Sequence, residues 1–218
     1  MKMTDALLVS VLMMALPARA KTNDVTGPGD QQRQPPTGSF AISPSGTALV
    51  GATVVTLTAT ASDPGGSALT YTWDFGDGQS GTTGQTVTHV YSKPGTFTAV
   101  LTIRNGAGAS ATANGAVTAR DLTGRWRDTD PAWEFNLTQS GATVSGTIAR
   151  AGVGIVSQIR DGVVADPRTI KFFRDSSVSP RWYLGYTGNY TGSLDSTGNS
   201  LHLTSPEDAR FSYDLTRE

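Results

Sequence analysis

Apolar residues alternate with Ser and Thr along much of this chain, and this period of two constrains the fold more than any other feature. In Val55–Ala61 an apolar side chain occupies every second position, and threonine fills the positions between. The same alternation recurs in Leu69–Phe75 and in Phe97–Ile103. Successive side chains of a strand point to opposite faces, whereas one face of a helix repeats every 3.6 residues. The sequence therefore predicts an all-β protein.

The composition excludes several classes of function. The 218 residues contain no cysteine, so disulfides, thiol catalysis and cysteine-ligated metals are excluded. Lys and Arg number 17 and Asp and Glu number 18, for a net charge of −1. Because this balance lacks the basic surface that binds nucleic acid, we expect no nucleic-acid partner.

The first residues have the pattern of an export signal. Lys2 gives residues 1–20 a positive start, an apolar stretch follows, and Ala18-Arg-Ala20 ends the segment as an A-x-A cleavage site. Residues 21–36 are polar and rich in proline, which predicts a disordered linker. The mature chain has no apolar run long enough for a transmembrane helix. We therefore expect an exported protein that is periplasmic, attached to the cell surface or secreted.

Residues 37–120 are predicted to form an antiparallel β-sandwich, because short alternating segments are separated by turn signals such as Asp63-Pro-Gly-Gly66. Within this region Tyr71-Thr-Trp-Asp-Phe-Gly-Asp-Gly78 is followed by His89-Val-Tyr91 and Pro94-Gly-Thr-Phe97. In this order the motifs resemble a PKD domain. The resemblance implies an Ig-like sandwich of the kind found beside other modules in extracellular or surface proteins. It also implies contact with protein or polysaccharide rather than catalysis.

Three acidic residues of this region, Asp63, Asp74 and Asp77, could supply oxygen ligands to Ca²⁺, which some PKD domains of secreted microbial enzymes bind. The alternative is that they hold their own turns by local hydrogen bonds. We favour the local role because the loop lacks the D-x-D-x-D pattern of a calcium loop, and we expect no cofactor. His89 alternates in register with its apolar neighbours and so lies on the same face of the strand. This position predicts a packed structural histidine. Gly76–Gly81 matches G-x-G-x-x-G, but a strand pattern follows it where a dinucleotide site needs a helix.

Residues 121–218 are predicted to form a second antiparallel β domain of about eight hairpin-connected strands. Such a meander can close into a small up-and-down barrel, and a two-sheet sandwich is the alternative. The Gly124-Arg-Trp126 sequence resembles the opening of lipocalin-like barrels. Gly188 and Gly192 interrupt a strand pattern, which predicts bends there. Ser205–Asp208 has the pattern of a single helical turn.

Aromatic residues are the candidate ligand-binding groups of this second domain. Tyr183 lies on the polar parity of its strand, so it is predicted to be the surface residue that stacks on a sugar ring. Trp126, Trp182 and Tyr186 could instead line an interior cavity that holds a small apolar ligand. The same alternation places four aromatic residues on the apolar face of their strands, which favours burial in the core. They are Trp133, Trp182, Tyr186 and Tyr190.

The sequence offers no assembled catalytic site. Its glutamates are Glu134, Glu207 and Glu218, and His202 lies on a polar strand face without a nucleophile elbow. We therefore predict that the protein is not an enzyme and that it binds polysaccharide or protein as an adhesion module. The alternatives are a carrier of a small apolar ligand and an extracellular hydrolase whose catalytic residues the sequence does not identify.

Overall fold

The computed structural model describes residues 33–45, 47–179 and 186–218. These residues form sixteen strands and no helix, which confirms the predicted all-β class. The strands are β1 (Thr37–Ser43), β2 (Thr47–Leu49), β3 (Val55–Ser62), β4 (Leu69–Asp74), β5 (Ser80–Thr83), β6 (Thr86–His89), β7 (Gly95–Asn105), β8 (Ser110–Arg120), β9 (Gly124–Asp128), β10 (Trp133–Ser140), β11 (Thr143–Arg150), β12 (Gly154–Asp166), β13 (Thr169–Asp175), β14 (Gly188–Leu194), β15 (Ser200–Thr204) and β16 (Ser212–Arg217). The predicted signal peptide and residues 21–32 of the predicted linker lie outside the described residues.

The first eight strands form the two sheets of an Ig-like sandwich. One sheet has the order β1-β3-β6 and the other β2-β8-β7-β4-β5, in which β2 runs parallel to β8. Trp73 of β4 is completely buried, and its indole N–H donates to the carbonyl of Gly84 at 2.9 Å. Its ring meets the edge of Phe40, from β1 of the other sheet, with centroids 5.1 Å apart. The alternating residues of the sequence therefore meet between two sheets, as predicted.

The last eight strands close into an antiparallel barrel. Their order follows the chain from β9 to β16, and β16 pairs with β9 through Leu215↔Asp128 and Arg217↔Trp126. This is the predicted up-and-down meander, and the alternative of a two-sheet sandwich is wrong for this region. Closure leaves no unpaired sheet edge.

Apolar side chains pack against one another in the interior of the barrel. Its buried apolar residues include Trp126, Phe135, Leu137, Val144, Ile148, Val156, Ile159, Ile170, Phe172, Tyr190, Leu194, Leu201, Leu203, Tyr213 and Leu215. They come from every strand of the barrel, so the core joins all eight.

Two glycines permit close packing in the barrel. At Gly162, in the irregular part of β12, an added Cβ would overlap the carbonyl oxygen of Val144 on β11. At Gly192 a Cβ would lie 2.5 Å from Cδ2 of Leu203 and 2.8 Å from Cγ1 of Ile170. Gly192 therefore makes room for core side chains within an unbroken register between β13 and β14, and the bend predicted there stays a prediction.

The chain divides into two compact units. Among the described residues, one unit contains Val55–His89 and Thr96–Val117 together with residues 33–45. The other contains residues 118–179 and 186–218 with the short segments 47–54 and 90–95. In the part of the chain that the structure describes, no helix has the length and apolar character needed to cross a membrane.

Candidate functional site

A cluster of polar and aromatic side chains lies at one end of the barrel, where β13 ends and β14 begins. Arg174, next to the last residue of β13, pairs with Gly188, the first residue of β14. Trp133, the first residue of β10, pairs with Arg150, the last of β11. We refer to Trp133, Ser157, Arg174, Tyr190 and Tyr213 as the barrel-end cluster.

Arg174 is the centre of this cluster and is only 1% exposed. It shares the inward parity of Ile170 and Phe172 on β13, which explains its burial. Its guanidinium Nε donates to the hydroxyl of Ser157 at 2.8 Å, and Nη1 donates to the hydroxyl of Tyr213 at 2.7 Å. Both acceptors are neutral. Within the described residues Arg174 forms no ion pair with a carboxylate.

Aromatic rings surround the guanidinium. It lies over the indole of Trp133, 5.2 Å from the ring centre, and the guanidinium of Arg150 lies 5.4 Å from the same ring. Tyr213 meets Trp133 edge to face with centroids 5.5 Å apart. Attraction between a cation and an aromatic ring offsets part of the cost of burying a charge.

Tyr190 places a second polar group in the cluster. The residue is 2% exposed and its ring stacks on Phe172 with centroids 5.4 Å apart. Its buried hydroxyl has no hydrogen-bond partner. Burial raises the pKa of Tyr190 far above its ordinary value, and the neighbouring Tyr213 adds to this while Arg174 opposes it. The side chain is therefore a neutral phenol with an unused donor and acceptor.

Half-buried aromatic residues lie beside the cluster. The hydroxyl of Tyr186 is hydrogen-bonded to the hydroxyl of Ser205 at 2.8 Å and donates to the carboxylate of Glu207 at 2.7 Å. Its ring stacks on Phe211 with centroids 4.2 Å apart. The bond with Ser205 lowers the pKa of Tyr186, but Glu207 and burial outweigh it and the pKa is raised. Residues 205–208 form a bend, so the predicted helical turn is wrong.

In the sandwich, the three acidic residues considered as calcium ligands each accept local hydrogen bonds. Asp63 accepts from the amide of Ser67 at 2.8 Å and from the side chain of Asn105 at 2.9 Å. Asp74 accepts from the amide of Gly76 at 2.8 Å, and Asp77 from the amide of Gln79 at 3.1 Å. The bond from Asn105 is the main cause that lowers the pKa of Asp63. Among the described residues, no group of three or more Asp, Glu or His side chains could hold a metal ion.

His89 forms a buried pair with Asp77 that the sequence analysis did not anticipate. Its Nε2 lies 2.8 Å from Oδ2 of Asp77, and the two side chains are 7% and 9% exposed. The imidazole stacks on Phe75 with centroids 4.0 Å apart and an angle of 3° between the rings. Burial alone would raise the pKa of Asp77, but the bonds from His89 and Gln79 outweigh it and the pKa is lowered. His89 is thus the packed histidine that its parity predicted.

The comparison with known families agrees with this geometry. The sequence model of the PKD domain family matches residues 42–119. This region is a PKD domain. Its Gly76–Gly81 loop connects β4 to β5, as predicted, and Asp77 within that loop holds His89 of β6.

Several solved structures are similar to parts of the chain. The PKD1 domain of Vibrio anguillarum Epp is 24% identical over 41% of this chain and 98% of that chain, with a TM-score of 0.35. Carbohydrate-binding modules of the β-sandwich superfamily are 18% identical over 85% and 90% of the two chains, with a TM-score of 0.39. Fibronectin(III)-like modules of Clostridium thermocellum CbhA are 12% identical to this chain. The match covers 81% of this chain and 90% of that chain, with a TM-score of 0.33. No curated protein matches the chain.

The predicted ligand-binding aromatics outside the PKD domain have different positions. Trp126 is completely buried, and its indole N–H donates to the carbonyl of Leu122 at 2.9 Å. Tyr186 is half-buried beside the barrel-end cluster. Trp182 and Tyr183 lie outside the described residues, so their predicted roles remain predictions.

A row of Ser193, His202 and Asp214 crosses three barrel strands on the outer surface. Each is the cross-strand partner of the next, and His202 Nδ1 lies 2.5 Å from Oδ1 of Asp214. The two side chains of this pair are 53% and 66% exposed, and a groove of about 290 Å³ runs beside them. Asp208, which lies close to His202 in sequence, pairs instead with Arg210. Such exposure in water gives little of the electrostatic stabilisation on which a hydrolytic site depends.

Proposed function

We propose that this chain is an exported, non-catalytic binding protein that contacts polysaccharide or protein at the cell envelope or outside the cell. The observation that supports it is the PKD domain at residues 42–119. Domains of this family occur in extracellular and surface proteins beside other modules. The barrel is such a second module.

The chemistry of the described residues is in keeping with binding rather than catalysis. The Asp77–His89 pair is enclosed by the PKD core and stacked on Phe75, where a substrate has no access. Glu134 forms ion pairs with Arg125 and Arg127 on the barrel surface. Ion pairs of this kind on a surface contribute little energy.

Retention of the full chain on insoluble polysaccharides and on cell-wall material tests this function. We expect the chain to sediment with at least one of these materials. Because the sequence pattern predicts Tyr183 on the polar face of its strand, we expect Tyr183→Ala to lower retention by up to about tenfold, since stacking of this kind is worth about 0.5–1.5 kcal/mol. Tyr183→Phe keeps the ring and serves as the matched control. A chain that remains in solution with every material would refute the proposal.

A second candidate function is carriage of a small molecule in the barrel. The observation that favours it is the buried Tyr190 hydroxyl, which has no partner beside the guanidinium of Arg174. Buried polar groups are rarely left without a partner, and those that are often face a ligand or water. Displacement of bound small molecules on unfolding, detected by mass spectrometry of the protein isolated from its host, tests this candidate.

A further inference from the structure

Arg174 is a buried positive charge without a negative partner in the described residues. An arginine cannot lose its proton in a protein, so burial does not neutralise it. Removing such a charge from water costs several kcal/mol unless an opposite charge or a full set of hydrogen bonds replaces the water. Here two neutral hydroxyls and one indole face supply the contacts.

The hydrogen-bonding capacity of the cluster is only partly used. A guanidinium carries five N–H donors, and Arg174 uses two of them in its bonds with described residues. Tyr190 adds an unused hydroxyl, which lies close enough to Arg174 and Tyr213 for both to affect its ionisation. The unpartnered hydroxyl of Tyr190 and the buried guanidinium of Arg174 therefore lie close together in the barrel interior.

The surrounding charge also favours an anion. Arg150 places a second guanidinium over Trp133, 5.4 Å from the ring centre. Glu207, the acidic group beside Tyr186, already accepts hydrogen bonds from Tyr186 and Asn189 at 2.7 Å.

We propose that Arg174 and Tyr190 bind the carboxylate of a small organic acid at the end of the barrel. One carboxylate matches the charge of one buried guanidinium, and its two oxygens suit the paired N–H donors of arginine. The aromatic neighbours Trp133 and Phe172 indicate that the acid has an apolar or aromatic body. The ligand would supply the negative charge that the described residues do not place there.

This inference rests on the second candidate function, carriage in the barrel, and is independent of polysaccharide or protein binding by the chain. Its test uses the full chain and four probes: phenylacetate and octanoate, each with its neutral amide as the matched compound. Binding is followed by intrinsic tryptophan fluorescence, since Trp133 contacts Arg174, and by the shift in Tm that a ligand of the folded state produces.

We expect at least one acid to bind about tenfold or more tightly than its amide, because a hydrogen bond to a charged group is worth about 1.5–3 kcal/mol. Arg174→Met and Tyr190→Phe each abolish most of this preference. Arg127→Met, which removes a half-exposed guanidinium from the barrel surface, leaves it unchanged. Should Arg174→Met fail to fold, Tyr190→Phe still tests the proposal, since it deletes a single unpartnered atom.

If an acid and its amide bind with equal affinity, the proposed carboxylate site is refuted, whereas carriage of a small molecule in the barrel is not. Binding of none of the four probes would overturn both. A preference for the acid that survives Arg174→Met and Tyr190→Phe would place the anion elsewhere and overturn the assignment to these residues.

Discussion

The guanidinium Nη1 of Arg174 donates a hydrogen bond of 2.7 Å to the hydroxyl of Tyr213, while the hydroxyl of Tyr190 in the same cluster has no partner. Two buried tyrosines of one barrel therefore differ in whether their hydroxyl contributes to stability. Removing the hydrogen-bonded hydroxyl takes an acceptor away from a buried charge. Removing the unbonded hydroxyl only relieves the free-energy cost of burying a polar group.

We predict opposite effects of removing these two hydroxyls. Tyr213→Phe lowers the free energy of unfolding by about 1–3 kcal/mol, because Arg174 loses an acceptor in the interior. Tyr190→Phe leaves it unchanged or raises it by up to about 1 kcal/mol. Urea unfolding followed by tryptophan fluorescence measures both. Equal losses from the two variants would contradict the hydrogen-bond assignment.

The Asp77–His89 pair predicts an acid-sensitive contribution to the stability of the PKD domain. The pKa of Asp77 is lower in the folded state than the value of about 3.9 expected in the unfolded chain. Stability from this carboxylate is therefore fully present above about pH 4 and is lost as the pH falls through the folded-state pKa. Asp77→Ala should cost about 1–3 kcal/mol at pH 7 and progressively less below pH 4.

Asp74→Ala is the control for this experiment. Asp74 is exposed and accepts one local bond from the amide of Gly76, so its removal should cost less than that of Asp77. Unfolding midpoints of the three proteins at several pH values give the comparison. A constant difference between Asp77→Ala and the natural chain down to pH 2 would show that the pair does not titrate as described.

The glycine at the irregularity of β12 should tolerate no side chain. Gly162→Ala places a Cβ against the backbone oxygen of Val144, so the two strands must separate, at a cost of about 1–3 kcal/mol. Gly106→Ala is the matched control, because a Cβ there meets only Ser67 Cβ at an ordinary 3.6 Å. Thermal unfolding should show a lower Tm for the first variant alone. An unchanged Tm would mean that the strands adjust freely.

The exposed His202–Asp214 pair should not hydrolyse esters. The full chain is expected to cleave p-nitrophenyl acetate no faster than free imidazole at the same concentration, since the pair is surrounded by water. Ser193→Ala should not change the rate. A rate well above that of imidazole that falls with Ser193→Ala would revive the hydrolase alternative.

Much of the fold can be predicted from the sequence, because the alternation of apolar and polar residues and the turn residues determine local structure. The run from Leu69 to Phe75 predicts both a strand and the burial of Trp73, and the order of hairpins from Gly124 onward predicts a meander. Whether such a meander closes depends on the pairing of β16 with β9, which joins residues far apart in the chain. The local pattern could not distinguish that closure from a sandwich.

The candidate site escapes a prediction based on apolar residues, because its central side chain is charged. Ile170, Phe172 and Arg174 share one parity, so a charged residue at an inward position was visible in the sequence and was the signal to follow. Its partners could not be inferred, since Ser157 and Tyr213 come from strands 17 and 39 residues away. The irregular register of β12 also disturbs the parity on which any prediction for Ser157 would rest.

Non-catalytic binding of an extracellular macromolecule is best tested by incubating the full chain with insoluble polysaccharides and cell-wall material. Both bound protein and soluble fragments are then measured. We expect the protein to be retained on at least one material and no fragments to be released over hours. Release of soluble fragments by the chain, or its absence from every pellet, would contradict it.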